Sequence, residues 1–255
     1  MSPGRFIRDN PIAVCLLAVA ATSAIFLAFP GIDPWFSELF YRSRGGFWLR
    51  RSDVLGLFRA TNDILIAVIV AALVASVVIR IARPDRQSLV PPAVTLFLVS
   101  TLVLGPLLLV NVLLKEHWGR PRPVQVDLFG GDAPYVEVWR ITDWCAGNCS
   151  FVSGEASSAI WLVAVALVLP QAVRRPAVVV AALYALLLSL NRIAFGGHFL
   201  SDVLISFGLT LLLIAVCYRV IFIVPPRWLR NEALEAGLGR LGWALRGGRG
   251  RPDPA

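Results

Sequence analysis

Long uncharged runs, separated by short polar stretches, dominate the pattern along the chain. Ile12–Phe29 runs 18 residues without a charge, and Ala93–Leu114 runs 22. At about 1.5 Å of rise per residue, each makes a helix long enough to cross a hydrocarbon core roughly 30 Å thick. Neither shows the polar stripe of a half-buried soluble helix. Four weaker runs extend the series, so six spans are expected: 12–29, 64–82, 93–114, 156–173, 177–190 and 203–224. Arg80 closes the second, where a long side chain can snorkel to the headgroups. The fifth is short, and the sixth contains Arg219. The predicted fold class is an all-α integral membrane bundle of six transmembrane helices, forming one membrane domain over 1–255.

Arginines in the short connections set the expected orientation. With the N-terminus inside, the inner segments hold Arg5 and Arg8, Arg83 and Arg86, Arg174 and Arg175, and the arginine-rich tail. N-in, C-in follows. Arg5 and Arg8 before an apolar run resemble a signal peptide, but the run continues past Ala20–Ala24, which predicts an uncleaved first helix. The outer loop 30–61 opposes the count with Arg42, Arg44, Arg50, Arg51 and Arg59. It also holds Trp35, Phe36, Phe40, Tyr41, Phe47 and Trp48, a mixture suited to the headgroup layer. Interfacial helices are predicted in this loop and in the tail. There Leu234, Leu238, Leu241 and Leu245 recur every three or four residues over an amphipathic 225–246 segment. Residues 247–255 are predicted to be disordered.

Composition supports the membrane reading. The chain is 57% hydrophobic and 16% charged, against roughly a quarter charged in soluble domains. Its net charge of +8 fits anionic headgroups. No zinc-finger or helix-turn-helix pattern points to nucleic acid as a partner. Cys15 and Cys217 lie in apolar runs as packing residues. Cys145 and Cys149 share the polar loop C-A-G-N-C, where a small disulfide is predicted if the loop faces an oxidising compartment.

Three polar clusters carry the candidate chemistry, and all fall in loops predicted to face outward. K-E-H-W-G-R-P-R-P, from Lys115 to Pro123, supplies Lys115, Arg120 and Arg122, cations that suit phosphate oxygens. Taken alone it is equally a positive collar at a helix end. S-F-V-S-G-E-A-S opens the fourth span. Ser153 and Gly154 read as an N-cap with Glu155 in the first turn, and free amides at a helix start attract anions. The third cluster is N-R-I-A-F-G-G-H-F-L-S-D, from Asn191 to Asp202. His198 and Asp202 are four apart, so on a helix they share a face. A carboxylate on one imidazole nitrogen frees the other as nucleophile or base. A metal half-site, drawing on carboxylates such as Glu155 and Asp127, and a structural pair are the alternatives. Charges gathered at one interface, with no internal repeat, argue against a transporter.

In order and spacing, Lys115-x6-Arg122-Pro123, Ser153-Gly154 and Arg192-x5-His198-x3-Asp202 resemble the signature of the type 2 phosphatidic acid phosphatase superfamily. That signature reads K-x6-R-P, P-S-G-H and S-R-x5-H-x3-D. The likeness covers roughly residues 93–224. It implies a metal-independent lipid phosphate phosphatase without a cofactor, working on a phosphorylated membrane lipid. His198 would attack phosphorus and form a phosphohistidine, with Asp202 orienting it. Lys115, Arg122 and Arg192 would bind the phosphoryl oxygens, helped by backbone near Ser153 and Gly154.

Three positions depart from the pattern. Val152 replaces proline, Asn191 replaces serine, and Glu155 replaces the histidine taken to protonate the leaving oxygen. Glu155 is expected to serve as the acid, with His117 as the alternative. A good leaving group, such as a diphosphate, would need little acid help. The segment around Ser153 and the cysteine pair resemble a bacterial inner-membrane branch related to lipid A phosphatases. A multi-pass inner-membrane protein with a periplasmic site is then expected. Phosphatidic acid, undecaprenyl diphosphate and phosphatidylglycerol phosphate remain as substrates, and phosphotransfer to another lipid shares the same first half-reaction.

Overall fold

The computed structural model describes residues 10–247. The expected disorder of 247–255 therefore lies, beyond Gly247, outside the described residues, as do Arg5 and Arg8. The chain is mostly helical. In order, α1 is Pro11–Ala28 and α2 is Ile32–Glu38. A hairpin pairs β1, Tyr41–Arg42, with β2, Gly46–Phe47. Next come α3, Asp53–Ala82, and α4, Pro92–His117. A long irregular loop follows, then α5, Gly154–Ile160, and α6, Leu162–Leu167. The series ends with α7, Gln171–Ala194, α8, Leu200–Ile223, and α9, Asn231–Leu245.

Five helices, α1, α3, α4, α7 and α8, are long and apolar enough to cross a membrane. Their exposed faces carry large apolar residues such as Leu17, Val68, Leu107, Val180 and Leu204. Several expected boundaries move. The second span begins at Asp53 rather than 64, because helix formation tolerates a polar first stretch that hydropathy alone discounts. Within it, buried Asn62 donates to Ser158 Oγ at 2.8 Å. The fourth run ends at Leu167, not 173. Pro170 disfavours helix at the residue before it and caps α7, which therefore takes in Gln171–Val173. Gly154–Leu167 is consequently a short apolar pair rather than an 18-residue span.

The chain folds as two compact units. One comprises the residues up to Asp63 with Thr101–Ala215, the other Ile64–Ser100 with the residues from Val216 onward. In the first unit, Ala159, Val163, Ala181, Ala185 and Leu188 form a small-residue seam between α5–α6 and α7. On another face of α5 the Ser157 hydroxyl meets that of Thr210 on α8 at 2.7 Å. Pro106 lacks an amide proton inside α4, and the helix widens to π-type turns over Val103–Leu114. Asn111 Nδ2 donates to the Pro106 carbonyl at 2.7 Å. In the second unit, α9 packs through Gly239 and Gly242 against Arg80 and the Ile81 carbonyl. Glu235 accepts from Arg80 Nε at 2.5 Å and from the Ser88 amide at 3.0 Å. Gly239 and Gly242 are the buried residues of α9, Leu234 and Leu238 are half-buried, and Leu241 and Leu245 stay exposed.

The first loop is more structured than a purely interfacial segment. Only α2, the hairpin and a 3-10 turn at Trp48–Arg51 separate α1 from α3. Trp35 and Trp48 are exposed, but Phe47 is buried with Val126, Phe129 and Phe199. This cluster fastens the loop to the segment leading into α8. Gly196 makes the contact possible: its φ is +66°, and a Cβ there would lie 2.5 Å from Phe47 and 2.6 Å from Val124. Gly196→Ala is therefore expected to destabilise the protein by about 1–3 kcal/mol. Thermal unfolding in detergent checks this; an unchanged melting temperature would contradict the packing.

Candidate active site

His198 lies in the turn between α7 and α8 and is 1% exposed. Its Nδ1 sits 2.8 Å from the Ser150 carbonyl oxygen. A carbonyl only accepts, so Nδ1 carries the proton and Nε2 keeps its lone pair. Burial lowers the imidazole pKa well below its ordinary value, and the nearby Lys115, Arg192 and Arg122 charges push the same way. The ring is held neutral, as a nucleophile must be.

Asp202 does not hold His198 directly as expected. Its Oδ2 is 4.0 Å from Nδ1, beyond hydrogen-bond reach. Instead the carboxylate accepts from Ser150 Oγ at 2.5 Å, the Phe199 amide at 2.8 Å and Arg120 at 2.6 Å. Asp202 thereby fixes Ser150, whose carbonyl fixes the imidazole. The reason is local: α8 begins at Leu200, so His198 precedes the helix and the four-residue spacing does not put both side chains on one helical face.

Arg120 is fully buried and links the segments. Its guanidinium bridges Asp202 and, at 2.8 Å, Asp33 of α2. It also donates to the Val136 carbonyl and Ser201 Oγ, each at 2.9 Å, and lies 4.6 Å from the Phe199 ring centre. Burial alone would weaken its charge, but Asp202 and Asp33 outweigh that and raise its pKa above the ordinary value. Asp33 further accepts from the Ser201 amide at 2.9 Å and hydroxyl at 2.5 Å. The sequence offers Arg120 as one of three cations suited to phosphate, but the structure commits it to Asp33 and Asp202. Sequence reasoning left Asp33 and Ser150 out of the site.

The cations gather as expected. Lys115 Nζ donates to Asn148 Oδ1 at 3.1 Å, and Arg122 donates to the Asn148 carbonyl and Oδ1 at 2.7 and 2.8 Å. The structure joins Cys145 to Cys149 in a disulfide that closes the loop carrying Asn148. Ser153 caps α5, accepting from the Ala156 amide at 3.2 Å. Gly154 leaves room for Asn111 and Lys115; a Cβ would lie 2.6 Å from Asn111 Oδ1. Arg192 pairs with Glu155, and Arg59 of α3 reaches the same carboxylate at 2.5 Å. His117 is exposed, and its Nδ1 faces Leu113 O in its own helix at 2.9 Å. Arg50, Arg59, Arg122, Arg192 and Gly197 line an open cavity of about 430 Å³. Such a cationic ring attracts an anion and repels a metal ion.

Replacing Arg120 with Met leaves two buried carboxylates facing each other without their cation. A loss of about 3–5 kcal/mol is expected. Arg120→Lys should not rescue it, because an ammonium cannot reproduce the forked contacts. Thermal unfolding of both variants is the check, and a native-like melting temperature for the lysine variant would contradict the forked arrangement.

Comparison with known proteins gives the family. Residues 93–224 match the PAP2 superfamily. A lipid A 4'-phosphatase of Rhizobium etli is 39% identical over 209 residues, 76% of this chain and 81% of that protein. The protein of the same name from Rhizobium leguminosarum is 38% identical over 76% of this chain and 89% of its own length. A third, from Francisella tularensis subsp. novicida, is 36% identical over 70% of this chain and 81% of its own. No solved structure gives a significant match.

Proposed function

The chain belongs to the PAP2 superfamily and is a membrane lipid phosphatase, and we propose that it removes a phosphate from a lipid A-type headgroup through a phosphohistidine. The observation that carries the mechanism is the neutral, buried His198, its Nδ1 committed to Ser150 and its Nε2 free beside three cations. The relatives' names support the substrate class. Nε2 attacks phosphorus as the bond to the sugar oxygen breaks. Lys115, Arg122 and Arg192 hold the phosphoryl oxygens, which suits a transfer that depends on positioning and charge. Water then attacks phosphorus, the P–N bond returns its electrons to Nε2, and inorganic phosphate leaves.

Glu155 occupies the motif position of the acid, yet its carboxylate bridges Arg59 and Arg192. A phosphoryl group competing for those guanidiniums releases the carboxyl. The freed carboxylate takes up the proton of a monoanionic phosphoryl group, passes it to the sugar oxygen as the P–O bond breaks, and takes one back from the attacking water. His117, turned to Leu113, is left out of this step.

The membrane arrangement follows the same reading. α4 ends and α5 begins at the site, and α7 ends and α8 begins there. The α5–α6 pair must therefore run away from the site face before α7 returns, supporting a sixth, shortened crossing. With N-in, C-in, the site faces the periplasm of a bacterial inner membrane. The exposed leucines of α9 suit the inner surface.

Phosphate release by protein in detergent with a chelator, across lipid A, phosphatidic acid, undecaprenyl diphosphate and phosphatidylglycerol phosphate, tests the substrate. Release from lipid A that is abolished in His198→Ala supports the reading. Preference for another member of the panel replaces the substrate, and retained activity in His198→Ala removes the mechanism. Glu155→Gln should lower kcat by about 10²–10⁴-fold on a sugar phosphate, but far less on an aryl phosphate, whose leaving oxygen needs no proton. Equal losses on both would assign Glu155 to arginine positioning alone.

The lowered His198 pKa also sets a pH dependence. The active form is neutral, so kcat/KM should hold through pH 6.5, where an ordinary histidine is half protonated. The acid limb should appear only below it. The unfolded chain takes up that proton first, so stability should fall as pH drops below about 6.5. An acid limb at or above that pH would contradict the burial.

A further inference from the structure

Beside the phosphoryl cavity lies a second one, of about 460 Å³, lined by Gly45, Gly46, Phe47, Arg50, Arg51, Val124 and Phe129. Arg50 and Val124 line both, so the two adjoin. Among the described residues no acidic side chain lines either. Within the first cavity, Arg59 and Arg192 share Glu155, and Arg122 is met by Asn148. Arg50 and Arg51 differ: among the described residues neither has an ion-pair partner.

Packing places these two arginines. They follow directly on the β1–β2 hairpin, in the 3-10 turn Trp48–Arg51. That hairpin is anchored by Phe47, whose ring sits 5.4 Å from Phe129 and 5.6 Å from Tyr41. Gly196, two residues before His198, admits the same ring. The turn is thus tied to the backbone that carries the nucleophile. Arg42 lies over the Trp48 ring at 4.4 Å, adding charge at the rim. Two guanidiniums without an ion-pair partner among the described residues, carried on an anchored turn beside the cationic cavity, suit an anion by charge and by fork geometry.

We propose that Arg50 and Arg51 form a second anion subsite that takes a further phosphate group on the same lipid headgroup. This rests on the lipid phosphatase reading and narrows it: the preferred substrate is a bis-phosphorylated glycolipid, with one phosphate at His198 and the other at Arg51. The subsite acts on affinity, not on the chemical step, since its ligand is remote from the bond that breaks.

The test compares wild type with Arg51→Ala and Arg51→Lys on bis-phosphorylated and mono-phosphorylated forms of one disaccharide lipid in neutral detergent. Arg51 lies outside the phosphoryl cavity, so turnover of the mono-phosphorylated lipid should not change. On the bis-phosphorylated lipid, Arg51→Ala should raise KM about tenfold with kcat unchanged. Arg51→Lys should recover part of the loss. Equal effects on the two lipids, or none on either, overturn the subsite while leaving the phosphatase intact. Binding of both lipids to His198→Ala protein reads the subsite without turnover. A preference for the bis-phosphorylated form that Arg51→Ala abolishes upholds it even if no release is seen, in which case only the phosphatase reading fails. A neighbouring phospholipid is the other source of such a group. If added anionic phospholipid stimulates turnover of the mono-phosphorylated lipid through Arg51, the ligand comes from the bilayer, and the same-headgroup assignment is overturned.

Discussion

The buried guanidinium of Arg120 is the interaction on which the site depends. It binds Asp33 from α2 and Asp202 from α8, while its own backbone carbonyl accepts from the Ser150 amide at 2.8 Å. Three segments far apart in sequence therefore meet at one charged group. A buried ion pair is costly to desolvate and is offset only when nearly every donor and acceptor is used. Arg120 meets that condition with two carboxylates, a backbone carbonyl and a serine hydroxyl. The arrangement has few alternatives, because any shift strands a charge in an apolar interior. Its value lies in position: it fixes Asp202, hence Ser150, hence the tautomer of His198.

Much of this was legible in the sequence, and the omissions have physical causes. The apolar runs located the five long helices, and motif spacing brought Lys115, Arg122, Arg192 and His198 together. The residues that act at one remove were hidden. Asp33 and Arg120 are 87 positions apart, and no periodicity joins a seven-residue helix to a distant loop. The His198–Asp202 spacing suggested a shared helical face that does not form, because the histidine lies ahead of the helix. Span ends failed where proline chemistry, not hydropathy, decides, as at Pro170 between α6 and α7.

The cations are held in two different ways. Lys115 and Arg122 are positioned by the amide and carbonyl oxygens of Asn148. These neutral acceptors orient a donor without cancelling its charge. Asn148 can present both oxygens because its φ is +49°, a conformation asparagine tolerates better than most residues, in a loop closed by the Cys145–Cys149 disulfide. Arg59 and Arg192 are instead masked by the Glu155 carboxylate. The site thus keeps part of its positive potential available to draw an anion in, while the rest is compensated.

That division makes the unusual glutamate intelligible. A histidine at position 155 could not compensate two arginines, and Arg59, supplied by α3 outside the motif region, would then add uncompensated charge close to Arg192. Glu155 lets the site carry one more guanidinium than the three motif cations without unmatched repulsion in the resting state. When a phosphoryl group enters, it brings more negative charge than the single carboxylate it displaces. The arginines then gain a stronger partner than the carboxylate they share. On the proposed mechanism that exchange ties proton delivery to substrate occupancy, and the pairing of Arg59 with Glu155 makes the extra arginine and the glutamate one adaptation rather than two.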